Sequence, residues 1–345
     1  MTNMDFSQGI KANLNAPFRI IYSREARKKI RAVLDDFQPD VVHLNNIQYH
    51  LTPSIILEIN KWRKETKKEC KIVYTTHDYQ LVCPSHGMFD VNMKPCERCL
   101  DGHYIHCLQT KCLKNSRAKS LLGTLDGYMW KYSKAYSYVD AYICCSFFLK
   151  SKLDTQKRFR DKTIGLHNFK KEMPHLDNIQ KKGYVLEFGH LSRDKGTDTL
   201  LEVAKKMPNT EFVFIGYGPS VDKMKDIPNV KYLGFKTGEE LYRIIAEAAI
   251  SVCPSEWYEN CPFSVMESQM YGTPVLGADI GGISELIQVG KTGELFESGN
   301  AEDLKKKIEK LWGDKKLCAE YSANCKDISF DTIDEYYEKI MRVYQ

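Results

Sequence analysis

Short β-prone runs that stop at a polar or glycine-containing turn and pass into a helical pattern recur along this chain. That alternation restricts the fold more than any single residue does. In the first half the runs are residues 40–44, 71–75, 141–145 and 162–166; in the second they are 184–188, 211–215, 229–233, 250–253 and 274–277. Helical patterns occupy 23–37, 54–67, 116–137, 146–153, 198–207, 238–249, 262–272, 283–287, 301–312 and 332–344. Strands separated by helices cannot close as hairpins; they pair in parallel, with helices covering both faces of the sheet. The expectation is an α/β chain with two Rossmann-like halves, and its ligands should lie beyond the carboxyl ends of the strands.

Residues 253–272, CPSEWYENCPFSVMESQMYG, sharpen this expectation. Pro262 suits the first position of a helix, because its fixed φ and missing N–H cost nothing there. Gly272 suits the end. Glu259 then precedes the helix and Glu267 lies inside it, roughly 8–12 Å further along the axis. Between them are free N–H groups and the positive end of the helix dipole. Taken singly, each acid reads as an ordinary surface residue. Together they frame a place for a diphosphate with a hydroxyl-rich group at each end, the layout of a nucleotide sugar.

A chain of 345 residues, 43% hydrophobic and 28% charged, has the length of two domains and a globular composition. It contains no apolar run of the ~18 residues a membrane span needs. Its start lacks the basic-then-apolar pattern of a signal peptide, so a cytoplasmic protein is expected. Residues 1–168 carry 27 Lys+Arg and 16 Asp+Glu, whereas 169–345 carry 23 and 29. A basic half beside an acidic half suggests that the first half meets an anionic surface or substrate. The groups around Arg24, Arg27, Lys28, Lys29 and Arg31, and around Lys61 to Lys71, contribute to it.

Of the 12 cysteines, Cys83, Cys96, Cys99, Cys107 and Cys112 are crowded together. With no secretion signal, metal is the better expectation than disulfides. Cys96, Cys99, Cys107 and Cys112 have the number and spacing of a structural zinc site, with Cys83, His86, His103 and His106 in reserve. Zinc with a basic half also suggests nucleic-acid binding. That reading is disfavoured because the helix start that suits a diphosphate lies in the acidic half, so no nucleic-acid partner is expected.

Five elements, in order and each at a strand end, resemble the nucleotide-binding domain of the retaining family 4 glycosyltransferases, which have the two-domain GT-B fold. They are Gly189 with Lys195-Gly196, Gly216-Tyr217-Gly218-Pro219, the Glu259/Glu267 pair, Gly281-Gly282-Ile283-Ser284-Glu285, and the Gly290 to Gly293 turn. Pro39 to His43, Thr76-His77-Asp78 and the run 141–145 extend the resemblance into the first half. The resemblance implies an N-terminal acceptor-side domain over 1–168 with a Cys-rich insertion at 83–112. It implies a nucleotide-sugar domain over 169–328 and a final helix, 329–345, crossing back to the first domain. The family begins with a strand, a glycine-rich loop and a long helix that have no counterpart here, so the first domain is expected to be incomplete.

The resemblance also implies roles. Glu259 would bind the donor-sugar hydroxyls, Lys195 would neutralise the leaving diphosphate, and His77 would stand near the sugar; these are the expected catalytic residues. Glu267 would take the ribose hydroxyls, and Phe235, beside Gly234, would adjoin the base. Backbone N–H groups near Cys261, Phe263, Gly281 and Gly282 would cradle the phosphates, and Gly216 and Gly218 would also belong to the nucleotide-sugar site. The family's arginine after the first glycine is replaced by His190, with Arg193 nearby as a substitute.

The implied function is transfer of a sugar, with retention, from a UDP- or GDP-sugar to a glycan or lipid-linked acceptor in surface polysaccharide assembly. No catalytic metal is expected, and peripheral contact with an anionic membrane is. The alternative is a homologue that binds the nucleotide sugar without transferring it. No acid and base stand at glycosidase spacing, which disfavours hydrolysis.

Overall fold

A computed structural model describes residues 21–48 and 50–345. Its contacts divide the chain into two units. Unit 1 comprises the described residues up to Asn92, Cys96–Leu166 and Glu338–Gln345; unit 2 comprises Met93–Pro95 and His167–Tyr337.

Unit 1 is a four-stranded parallel sheet in the order β1-β2-β3-β4, with β1 Val41–Asn45, β2 Lys71–Thr76, β3 Ala141–Cys144 and β4 Thr163–Gly165. Its helices are α1 Arg24–Phe37, α2 Ser54–Thr66, α3 Ile105–Thr110, α4 Arg117–Tyr132, α5 Phe147–Leu153 and α6 Lys157–Arg160. Ser23, Ser116 and Ser146 cap α1, α4 and α5, each accepting from a backbone N–H three residues on. Ile55, Ile56, Ile59 and Trp62 of α2 are buried, as are Val73, Tyr74, Tyr142 and Ile143 of the sheet. The Phe159 ring meets Tyr142 edge-on at 5.1 Å.

Two expectations change here. The helical pattern of 116–137 ends at Tyr132, because Lys134 takes a left-handed φ of 57° before a short 3-10 turn, Ala135–Tyr138. The basic cluster on α1 is also less available than its sequence suggests. Arg27 is bonded to Glu58 and Tyr22, and Arg31 reaches Glu65 at 2.6 Å and Asp35 at 3.0 Å.

Unit 2 is a six-stranded parallel sheet in the order β10-β9-β8-β5-β6-β7. The strands are β5 Tyr184–His190, β6 Glu211–Tyr217, β7 Val230–Tyr232, β8 Ile250–Cys253, β9 Val275–Ala278 and β10 Gly293–Phe296. The helices are α7 Thr197–Lys206, α8 Gly238–Glu247, α9 Phe263–Met270, α10 Ala301–Gly313 and α11 Lys315–Lys326; the last helix, α12 Ile333–Tyr344, begins in unit 2, and its residues from Glu338 on belong to unit 1. Leu186, Val213, Ile215, Ile245 and Ala248 form one core cluster between sheet and helices. The sequence reading left out both β10, which starts at the last residue of the expected 290–293 turn, and α11. The residues 283–287, read as a helix, form only a 3-10 turn, Ser284–Leu286.

The order of this sheet reverses between β5 and β8. From β5 the chain steps outward to β6 and β7, then returns to β8 and steps the other way. The crevice beyond the carboxyl ends of β5 and β8 is therefore a topological switch point, where the two departing loops diverge and leave room for a ligand.

Candidate functional site

The loop leaving β5 and the loop leaving β8 meet at that switch point. Gly196, at φ 78°, is the N-cap of α7, and a Cβ there would stand 1.7 Å from the Pro254 carbonyl oxygen. Only glycine lets the two loops close to this distance. The Glu256 N–H donates to the Asp194 carbonyl at 2.9 Å, and Thr199 donates to the Glu256 carboxylate at 2.6 Å.

Lys195 and Glu259 are joined as a result. Lys195 Nζ donates to Glu259 Oε1 at 2.5 Å and lies 4.4 Å from the centre of the Trp257 ring. Ser255 Oγ lies 3.3 Å from the same carboxylate oxygen. The Glu259 backbone is gripped from the other side: Gly282 N–H donates to its carbonyl at 2.7 Å. A Cβ on Gly281, at φ 63°, would lie 2.3 Å from that carbonyl oxygen. Glycines 281 and 282 thus fix the residue that presents the carboxylate.

Pro262 stands one position earlier than expected, as the extended N-cap of α9 (φ −69°, ψ 120°), so the helix begins at Phe263. Gly272 takes a φ of 68° just past the end of the helix, as its sequence suggested. Glu267 is on α9, and burial pushes its carboxyl above the ordinary value while Lys171 opposes the rise. The Lys171 ammonium lies 5.3 Å from the Phe263 ring centre. Cys261 is buried against Met266, and its thiol is pushed up to about 11 by burial.

A third group stands at the ends of β5 and β6. His190 meets Tyr217 edge-on at 5.3 Å, and Tyr217 meets Phe235 at 5.8 Å. Tyr217 is 61% and Phe235 64% exposed, so this run of rings offers unoccupied π faces. Gly216 and Gly218, at φ 137° and 154°, lie against the carbonyls of Gly189 and Leu191, which keeps the strand ends close. Arg193 is exposed on the loop after β5. Its charge acts on Asp198, which Lys223 and Ser220 also hold below the ordinary carboxyl value despite burial.

His77 belongs to unit 1, just past β2, with Nε2 2.9 Å from Asn45 Oδ1. Burial lowers its pKa from the ordinary value, and Asp78 partly offsets that. His43, on β1, is bonded on both ring nitrogens, to Tyr344 at 2.7 Å and Thr75 at 2.6 Å, and is likewise held toward the neutral form.

The zinc expectation is not supported. Among the described residues, no three His, Cys, Asp or Glu side chains are grouped so as to hold a metal ion. Cys99 and Cys107 pack with Tyr104 as apolar groups, flanked by Cys112, Leu113 and Tyr128. The Cys112 sulfur and burial hold Cys107 in the thiol form, and burial pushes Cys99 up to about 12. A zinc site needs four sulfurs converging on one point, and Cys96, Cys99, Cys107 and Cys112 form no such group among the described residues.

Several participants escaped the sequence reading. Tyr217 carried a signal, since it sits between two glycines already assigned to the site. The Trp257 ring lies beneath the Lys195 ammonium. Lys171 is remote in sequence from α9. His167, 2.6 Å from Glu285, and Asn168, which donates to the Cys261 carbonyl at 3.4 Å, brace the site from the start of unit 2. No local pattern announced these three.

The family described as "Glycosyl transferases group 1" matches residues 168–327. Sulfoquinovosyl transferase SQD2 of Arabidopsis thaliana is 34% identical over 142 residues, 39% of this chain and 28% of that protein. An uncharacterized 42.6 kDa protein in the cps region of Klebsiella pneumoniae is 23% identical over 278 residues, 78% of this chain and 65% of that protein. The chain thus spans between about a quarter and two thirds of these relatives. Among solved structures, Anabaena HepE in complex with UDP superposes with a TM-score of 0.65 at 16% identity, covering 92% of this chain and 81% of that one. Sucrose-phosphate synthase from Thermosynechococcus elongatus gives 0.66 at 15%, covering 92% and 76%. At these identities the likeness establishes the fold: two Rossmann-like units of the GT-B type.

Proposed function

We infer the function from one premise: residues 168–327 belong to the group 1 glycosyl transferases. We propose that this protein transfers a sugar from a nucleotide diphosphate sugar to a glycan or lipid-linked acceptor, with retention of configuration, in the assembly of a surface polysaccharide. The observation that carries the proposal is the Lys195–Glu259 pair, fixed by Gly281-Gly282 at the switch point of the sheet.

In this reading the pair opens as the donor enters. Lys195 turns to the diphosphate, and Glu259 accepts from the sugar hydroxyls. The Phe263 end of α9 contributes free N–H groups, and Glu267 accepts from the ribose. The exposed faces of Tyr217 and Phe235 stack on the base. During transfer the bond between the anomeric carbon and the β-phosphate oxygen breaks, and a bond from that carbon to the acceptor oxygen forms on the same face. The acceptor proton passes to the departing phosphate oxygen, so no side chain need remove it. Negative charge grows on the phosphate, where fixed positive groups stabilise the transition state most.

The known structure of HepE with UDP makes uridine the first base to test. Titration of the full chain with UDP and with GDP, alongside donor-turnover assays with and without lipid-linked glycan acceptors, tests the reading. Saturable binding with acceptor-dependent transfer of the sugar with its original anomeric configuration supports it. Binding without turnover on any acceptor supports the alternative, a nucleotide-sugar-binding homologue, which His190 in place of arginine favours. Absence of binding to either nucleotide overturns both.

A further inference from the structure

Helix α4 is mounted with its polar side inward. Ser120, Thr124 and Trp130 are buried on the inner side, and Thr124 donates to the Tyr104 carbonyl at 3.2 Å. Ser120 accepts from the Leu113 N–H at 3.1 Å, and Lys131 reaches back to the Gly102 carbonyl at 2.9 Å. Two glycines face the same way: a Cβ on Gly123 would meet Leu113 at 2.4 Å and one on Gly127 would meet Tyr104 at 2.8 Å. Close packing against small and hydroxyl residues settles which side of the helix is inside.

The outer side is then apolar. At 3.6 residues per turn, Ala118, Leu121, Leu122, Leu125, Met129 and Tyr132 share a stripe of roughly 100°. Leu125 is 50% and Tyr132 72% exposed. Tyr128 and Tyr132 stack at 6.0 Å along its edge. An ordinary surface helix has the opposite arrangement, and a patch of this kind marks an interaction site.

The rim shows what covers it. Residues 102–138 contain six Lys and Arg and one acid, Asp126. Asp126 accepts from the Trp130 indole, and burial raises its carboxyl to about 7. Arg117 and Lys119 flank the stripe, with Lys111 and Lys114 on the approach to α4; none has an acid partner among the described residues. An apolar stripe bordered by unpaired cations and by tyrosines is complementary to an anionic bilayer surface. A second copy of this face would bring like charges together. One helical stripe also falls short of the ~800 Å² per partner that a stable protein interface buries.

We propose that the outer face of α4 docks unit 1 on anionic phospholipid membrane, with the leucines in the interfacial layer and Lys114, Arg117 and Lys119 on the headgroups. This is independent of the transfer reaction above.

The test is co-sedimentation of the full chain with vesicles of phosphatidylcholine alone and with about 30% phosphatidylglycerol added. Binding should require the anionic lipid and weaken with salt. Leu121→Ser with Leu125→Ser should lower the partition coefficient at least about tenfold. K114E/R117E/K119E should lower it by at least about 100-fold, at roughly fivefold for each basic residue lost. Circular dichroism and melting show that each variant is folded, and UDP titration separates failure here from failure of the donor site. Equal binding to both vesicle types, no binding, or unchanged binding of folded variants overturns the proposal. So does a solution dimer that Leu125→Glu dissociates in a protein that ignores vesicles.

Discussion

The two parallel sheets are built by the same rules and end differently. In unit 1 the strands run in sequential order among the described residues, and β1 and the turn after β2 carry histidines held toward the neutral form and bonded to Thr75, Tyr344 and Asn45. In unit 2 the order reverses at β5 and β8, and the ends carry a lysine–carboxylate pair among glycines that touch neighbouring backbone. The reversal separates two loops and makes a crevice; sequential order gives no such opening. The tightest glycine–backbone contacts therefore concentrate in unit 2, around its lysine–carboxylate pair. Unit 1 offers a softer surface of neutral imidazoles and an outward apolar helix.

Substitutions sized to each unit test this contrast. The largest effect is expected from Glu259→Ala, which removes the carboxylate and leaves Lys195 without its partner. Transfer should fall by about 10²–10³-fold or more, the scale of losing one fixed transition-state contact, with little change in melting temperature. Full activity in a purified variant would remove Glu259 from the site.

Gly281→Ala comes next. Its Cβ would meet the Glu259 carbonyl at 2.3 Å with φ at 63°, so the turn must shift and carry Glu259 with it. About 1–3 kcal/mol of stability and roughly 10²-fold in kcat/KM should be lost together. Loss of stability alone would mean that the turn only braces the fold.

Glu187→Gln probes the floor of the unit 2 site. Glu187 is buried beneath Thr197, which donates to one oxygen at 2.7 Å, while the other oxygen accepts nothing. Burial raises its carboxyl to about 8. The folded protein therefore keeps a proton that the unfolded chain releases above the ordinary carboxyl value. Wild-type stability falls as pH rises from about 4.5 through about 8. Glutamine should abolish that slope and stabilise the protein by about 3 kcal/mol near pH 7. Urea unfolding of both proteins between pH 5 and 8 measures it; parallel curves would show that Glu187 is ionised in the folded state.

The smallest effect should come from unit 1. Tyr344→Phe deletes one hydrogen bond to His43 and should cost about 1 kcal/mol, leaving nucleotide affinity unchanged. A shift in UDP affinity would break the contrast between the units.

The convergence of the unit 2 loops was legible because glycine has few substitutes where backbones touch. Gly196, Gly216 and Gly281 mark strand ends in the sequence, and each lies against neighbouring backbone in the fold. Lys171, Asn168 and His167 were not legible, because they reach the site from a segment whose path no local pattern fixes. The cysteines misled for a different reason: two-residue and four-residue spacings suit zinc, but spacing says nothing about whether four sulfurs converge. α4 was readable as a helix, yet its orientation was not. Periodicity identifies an apolar stripe, and only the packing of Gly123 and Gly127 shows that this stripe faces outward.

The twelve cysteines carry one more consequence. All are free, most are wholly or partly shielded, and burial holds Cys144, Cys253 and Cys325 near 12. Such thiols react slowly until the segment around them opens. The native sequence is thus its own set of probes. The rate at which a thiol reagent modifies Cys70, Cys144 and Cys145 clocks the breathing of unit 1, and that for Cys253, Cys261 and Cys325 clocks unit 2, with no label introduced.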